Sequence, residues 1–437
     1  MLPAISDAID DLYIVDSHEH LVEEEVRLKE PNNLSRFFQF YAFDDVATAG
    51  IDAAGQKRFF EPDVGAREQW EIIRGVWPLV KHTGYLRSLL ISIRELYGIE
   101  DLADSTIGPL MDAVAARNKP GVLNWVLKEK CRIECCLVND ADPGDMARRT
   151  KSPGLFLFDM GIEQLLANEI DVKACEKRTG LSCVSLADWK RIMDWYFARW
   201  GAQAVAIKNV SAYWRTLRYD EVGEPAAAAA FDKWLLRGRE ATPAEKKAVQ
   251  DFNFHYCIRK AIDYGLPVKI HTGYHAGHDY MDMDMFQPRA LANLFRKYPE
   301  AKFDLFHIGY PAWGDVLALT KHYSNVWADM CWTWIIDPEA SLSFARQALA
   351  SVPLNKVLGF GGDYGFADVV YGHSRLAREG IALVLSEAVR QGRLGVADAK
   401  TAGRMWLREN AMELFRVEKK RSVQAFGQPA PLSSAGP

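Results

Sequence analysis

The chain lacks a surplus of positive charge: 53 Lys and Arg stand against 58 Asp and Glu, a net charge of −5 over 437 residues. Nucleic-acid-binding surfaces are ordinarily basic, so that class of partner is excluded. It also lacks any apolar run of the roughly 18 residues that a membrane-crossing helix needs. The first ten residues have neither a basic start nor a long apolar core, so no export signal is expected. Cysteine is scarce: there are seven, an odd number without repeated spacing, and Cys135-Cys136 sits inside a strand-like run. Such cysteines read as buried reduced thiols rather than a disulfide frame, and the expected compartment is the cytoplasm. No internal repeat is evident. What remains, 49% hydrophobic and 25% charged, is the balance of an ordinary globular enzyme.

Eight short apolar runs, rich in β-branched or aromatic residues, follow one another at 12–15, 132–138, 154–158, 204–207, 267–270, 302–306, 325–328 and 356–360. Most are continuous in hydrophobicity rather than alternating, as strands covered on both faces must be. Segments with helical spacing of apolar residues separate several of them, at 186–200, 252–264 and 289–298. Strands alternating with helices predict an α/β chain of the (β/α)8 TIM-barrel class. Two intervals are too long for a single connection. Residues 21–131 read as a helical insertion after strand one, and residues 216–250 as a smaller insertion after strand four. The barrel is expected to occupy 1–417, and 418–437 to form a disordered tail.

The richest chemistry begins at Asp16-Ser17-His18-Glu19-His20, which ends the first apolar run. Two histidines two apart on a strand project to the same side, where paired imidazoles can start a divalent-metal site. Glu19, between them, points the other way. Lys208 then ends strand four, His271 strand five, His307 strand six and Asp363 strand eight. These ends all fall on the rim where barrel enzymes place catalysis.

This set resembles the amidohydrolase superfamily of metal-dependent barrel enzymes. That family carries His-x-His on strand one, Lys or Glu on strand four, His on strands five and six, and Asp on strand eight. Every position is filled here. The runs Ala206-Ile-Lys208, Tyr213-Trp-Arg215, Pro267-Val-Lys-Ile-His271-Thr-Gly273 and His307-Ile-Gly-Tyr310-Pro311 are similar to a branch that includes the amidohydrolase-like half of fungal glutamine-synthetase fusion proteins. Arg94-Glu-Leu-Tyr-Gly-Ile-Glu-Asp101 and Asn139-Asp-Ala-Asp-Pro143 look like uronate isomerases.

The resemblance implies a divalent cofactor, zinc foremost with manganese or iron as alternatives, in one or two copies. His18, His20 and Asp363 would form one pocket, with His271 as a further ligand. In two-metal relatives the matching lysine is carboxylated and bridges the ions; Lys208 would then do so, with His271 and His307 on the second ion. An unmodified Lys208 would instead bind an anionic substrate group or tune the water. Asp363 and Lys208 are the expected catalytic residues, Asp363 as proton shuttle. Substrate contacts are expected from Arg215, Tyr213, His275 and Trp334. The expected activity is hydrolysis of a C–N or C–O bond in a small cyclic or acidic substrate. Metal-dependent decarboxylation (or another lyase reaction) and sugar-acid isomerisation stay open as alternatives, although Lys208 departs from the uronate-isomerase pattern. A homo-oligomer is a family-level expectation.

Overall fold

The computed structural model describes residues 1–140, 154–166, 171–237 and 241–426. Its strands are β1 (Ile14–Glu19), β2 (Ile133–Asp140), β3 (Phe156–Gly161), β4 (Ile207–Asn209), β5 (Val268–His271), β6 (Phe303–Phe306), β7 (Val326–Asp329) and β8 (Val357–Leu358). They follow one another in a single sheet in the order β1 to β8, the topology of a (β/α)8 barrel. From β3 to β7 the pairing is parallel, with Lys208 opposite Lys269 and His271 opposite Phe306. The ends of the sheet meet: Ser17 N–H donates to the Phe360 carbonyl (3.1 Å), and Asp363 N–H to that of His18 (2.9 Å). All eight apolar runs became strands, because a strand covered on both faces needs an unbroken apolar stretch. Among the described residues no helix is long and apolar enough to cross a membrane.

The chain divides into two compact units, each discontinuous in sequence. The first comprises Met1–Cys136, Tyr274–Asp282 and Asp329–Asn410. Its 21–131 stretch is helical, as expected, and includes Ala66–Ile73, Gly84–Tyr97 and Ile107–Arg117. Buried tryptophans anchor it: Trp70 donates to Asp104 (2.6 Å) and Trp77 to Asp101 (2.9 Å). Helix Gly84–Tyr97 packs on Ala367–Arg390 at Gly372, where a Cβ would lie 1.9 Å from the Ser88 carbonyl oxygen. Only glycine permits that approach.

The second unit comprises Leu137–Gly273, Met283–Ala328 and Ala411–Pro437. A buried ion pair, Lys269 to Asp159 at 2.8 Å, ties β5 to β3. Two boundaries differ from expectation. The insertion expected to end at 250 runs into a single helix, Pro243–Tyr264, started by a capping box in which Thr242 and Glu245 satisfy each other's backbone N–H. The expected tail begins as a helix, Val417–Phe426, because Lys420 is buried and donates to the carbonyl of Ala202 (2.9 Å). The rest of that tail, 427–437, and positions 141–143 of the Asn139–Pro143 motif lie outside the described residues.

Candidate metal centre

In the first unit β1 presents both imidazoles of the His-x-His motif to one carboxylate. Nε2 of His18 lies 3.3 Å from Oδ1 of Asp363, and Nε2 of His20 3.1 Å from the same oxygen. His18 and Asp363 are buried, while His20 is about a third exposed. Bonds of about 2.0–2.1 Å to a tetrahedral ion would hold its ligands roughly 3.3–3.4 Å apart. The three donor atoms therefore fit one small divalent cation, with His20 on the open side.

The backbone around Asp363 is built for this placement. Asp363 has φ +63°, a left-handed conformation that a non-glycine residue keeps only when its surroundings enforce it. Its N–H donates to the His18 carbonyl, and its own carbonyl accepts from the Tyr41 hydroxyl (2.7 Å). Gly362 cannot carry a side chain, since a Cβ there would come 2.0 Å from Oε1 of Glu19. Asp16 Oδ1 accepts from the N–H groups of His18 and Gly362, each at 3.1 Å. Glu19 Oε2 accepts from Tyr364 N–H at 2.7 Å. Burial pushes the Asp16 carboxyl up to about 6 and that of Glu19 well above its ordinary range. A proton shared between these two acids lets both brace the loop without two adjacent buried charges.

Aromatic rings surround the cluster within the same unit. Trp332 stacks on Tyr41 (4.4 Å) and meets Tyr274 (5.9 Å), and Phe40 lies on His20 (5.7 Å). Both Phe40 and Trp332 have positive φ, +76° and +68°. His275 is buried and faces Tyr280. Cys331, also buried, has its sulfur within 4.8 Å of an Asp363 carboxylate oxygen.

The second unit holds the other three expected ligands. Nε2 of His307 and Nδ1 of His271 are 3.0 Å apart, and both rings are buried. Tyr213 lies against His271 with ring centroids 4.7 Å apart. Lys208 is buried, its ammonium 3.4 Å from the centre of the Phe306 ring.

Two expected substrate contacts are corrected. Arg215 donates to Asp251 (2.6 Å), Gln250 (3.2 Å) and the carbonyls of Thr216 and Arg218, and it stacks on Tyr219. Its fork is spent on fastening the loop after β4 to helix Pro243–Tyr264. Trp334 is buried, donates its indole N–H to the Gly359 carbonyl (3.0 Å) and packs on Gly380, so it is a packing residue. The bracing roles of Asp16, Glu19 and Tyr41, and the place of Cys331, were missed. For Asp16 and Glu19 the signal was present: acids inside an apolar strand must find partners.

The amidohydrolase family model matches residues 182–417. Protein fluG of Emericella nidulans is 25% identical over 197 residues, 44% of this chain. The chain spans only 22% of that relative's length. Among solved structures, glucuronate isomerase from Caulobacter crescentus superposes with a TM-score of 0.79 at 16% identity, covering 98% of this chain and 94% of that one. A Lactobacillus casei protein described as a metal-dependent hydrolase gives 0.65 at 17% identity, covering 95% and 98%. At these identities the structural likeness speaks for the fold alone.

Proposed function

The chain belongs to the amidohydrolase family, and on that premise we propose that it is a metal-dependent hydrolase of a small cyclic or acidic substrate. The observation that supports this reading best is the cluster of His18, His20 and Asp363, in which both imidazole Nε2 atoms stand 3.1–3.3 Å from one carboxylate oxygen and all three donors lie within 4.8 Å of one another. When bound there, a zinc-like ion lowers the pKa of a coordinated water towards neutrality and polarises a substrate carbonyl.

The chain's own groups do the rest. His18 and His20 act as neutral donors and fix the carboxylate of Asp363 beside them. Asp363 takes the proton from the attacking water and returns it to the leaving nitrogen or oxygen. Its left-handed backbone, locked by Tyr41 and the His18 carbonyl, keeps that carboxylate from rotating away. Phe40 is exposed beside His20 and offers flat apolar surface, which suits a ring-shaped substrate. His275 and Tyr213 are the proposed substrate contacts. His271 and His307 form a second proposed metal-binding pair, for which carboxylation of Lys208 would add the missing negative charge.

A second reading, sugar-acid isomerisation, draws on the likeness to glucuronate isomerase across nearly the whole chain. The same pocket would serve it, with Asp363 moving a proton between carbon or oxygen positions instead of activating water. Metal analysis of the purified protein, followed by a substrate panel, separates the two. Hydrolysis predicts metal-dependent turnover of lactones, amides or cyclic ureides. Turnover of glucuronate to its keto isomer, with none of those substrates cleaved, would replace hydrolysis with isomerisation.

A further inference from the structure

The first unit holds a second concentration of polar groups that the metal centre does not use. Arg27, at the end of helix Glu24–Arg27, and Arg36, in helix Ser35–Phe38, are both buried. Their guanidiniums lie on the same ring, Phe366, at 4.5 and 4.7 Å from its centre. Each has one acid. Nη2 of Arg27 is 2.9 and 3.2 Å from the two carboxylate oxygens of Asp368, and Arg36 pairs with Glu30. Asp368 is further engaged by the Tyr97 hydroxyl at 2.6 Å.

These pairs leave donors over. Nε and Nη1 of Arg27 and Nε of Arg36 are buried and have no hydrogen-bond partner among the described residues. Desolvated guanidinium N–H groups without acceptors are costly, and two cations on one ring also repel each other. An acceptor carrying negative charge would relieve both. The cleft where they meet opens to solvent, has room inside for about one water-sized group (about 10 Å³), and is walled also by Asn33, Asn118 and Phe37.

We propose that this cleft binds the ionised carboxyl group of an organic acid, with Arg27 and Arg36 as its charged donors. Two acids already neutralise most of the local charge, so a monoanion suits the cleft better than a dianionic phosphate. The cleft is also too narrow for a large polyanion. Its walls come from the segments that leave the metal-binding strands: Arg27 follows His20 by seven residues, and Phe366 follows Asp363 by three. Calling the acid a substrate, rather than an effector, rests on the metal-enzyme reading above; the binding itself does not.

The test is thermal denaturation of the metal-loaded full chain in sodium acetate, acetamide, sodium chloride and inorganic phosphate, the three salts at equal ionic strength. Acetate should raise the midpoint saturably, and neutral acetamide should not. Arg36→Gln should weaken the acetate effect about tenfold or more, the loss of one charge-assisted hydrogen bond. An acetate effect that is absent, or that survives Arg36→Gln, overturns the assignment. A larger effect of phosphate than of acetate overturns the carboxylate class. If Arg36→Gln does not fold, anomalous diffraction from wild-type crystals soaked in bromide decides: a peak touching both guanidiniums supports an anion site, and its absence removes it. Metal content measured on the same samples keeps the two readings apart. Metal retained without acetate binding counts against the cleft, and acetate binding without metal counts against the enzyme.

Discussion

The two groups of candidate ligands differ in charge. The group on β1 and the loop after β8 brings three carboxyl groups, Asp16, Glu19 and Asp363, around two imidazoles. The group on β4 to β6 brings two imidazoles and a lysine ammonium together. A divalent cation entering the first finds negative charge already in place. Entering the second, it meets a like charge unless Lys208 loses its proton or is carboxylated. Similar residue types thus describe a pocket prepared for an ion and one whose readiness depends on a chemical change. The first should fill at lower metal concentration, and its loss should be the more damaging.

The sharpest way to break this contrast is to delete each pair of histidines. His18→Ala with His20→Ala should abolish metal at the first group and with it all turnover, read by atomic emission and by assay. His271→Ala with His307→Ala should leave the first ion in place. Equal loss of metal from both double variants would show that the two groups are not distinguishable in this way. Next in size is Asp363→Asn, which should keep the fold and reduce turnover by roughly 10²–10⁴, the usual worth of a positioned acid–base group. Normal turnover would remove the proton-shuttle role.

Lys208→Met carries a smaller effect on metal and a clear sign. If Lys208 is carboxylated, the variant should hold one ion where the wild type holds two, and added bicarbonate should change only the wild type. If Lys208 stays an ammonium, its removal should leave the ion count unchanged or raise it. A crystal structure with the amine unmodified and far from any ion would end the carboxylation model.

Much of this arrangement was legible because buried parallel strands make unbroken apolar runs, and the polar residue that ends each run stands out. His18, His20 and Asp363 were singled out as candidates that way, as were Lys208, His271 and His307. Residues whose meaning depends on remote partners were not legible. Arg215 resembled a substrate clamp until Asp251, 36 residues later, occupied its fork. Trp334 resembled a pocket wall until its indole met Gly359 and its face met Gly380. The boundary at 250 was recoverable, since Thr242 and Glu245 spell a capping box, but the charged run around them was taken into the insertion over 216–250. The helix over Val417–Phe426 was harder, because what fixes it includes a buried lysine reaching backbone more than 200 residues away.

The smallest predicted effect isolates the support behind Asp363. His373 is fully buried, and its Nδ1 lies 3.2 Å from the Gly362 carbonyl, so Nδ1–H donates and the ring is neutral. Burial lowers its pKa to about 3, against an ordinary value near 6.5. Between those values the unfolded chain binds a proton that the folded chain refuses. Its contribution to stability is therefore complete above pH of about 6.5 and is lost as pH falls towards 3. Asp16 works in the opposite direction: its raised carboxyl pKa favours the folded state at low pH, and that benefit fades as pH rises from about 4 to 6. The two slopes partly cancel in the native protein, so acid sensitivity in the wild type alone is uninformative. His373→Asn keeps a donor near Gly362 but removes the titration. The stability lost between pH 7 and pH 5, measured by denaturant midpoints, should be smaller in this variant than in the wild type. An equal loss in both would mean that the buried imidazole takes its proton without unfolding, and that the loop carrying Asp363 tolerates a charge behind it.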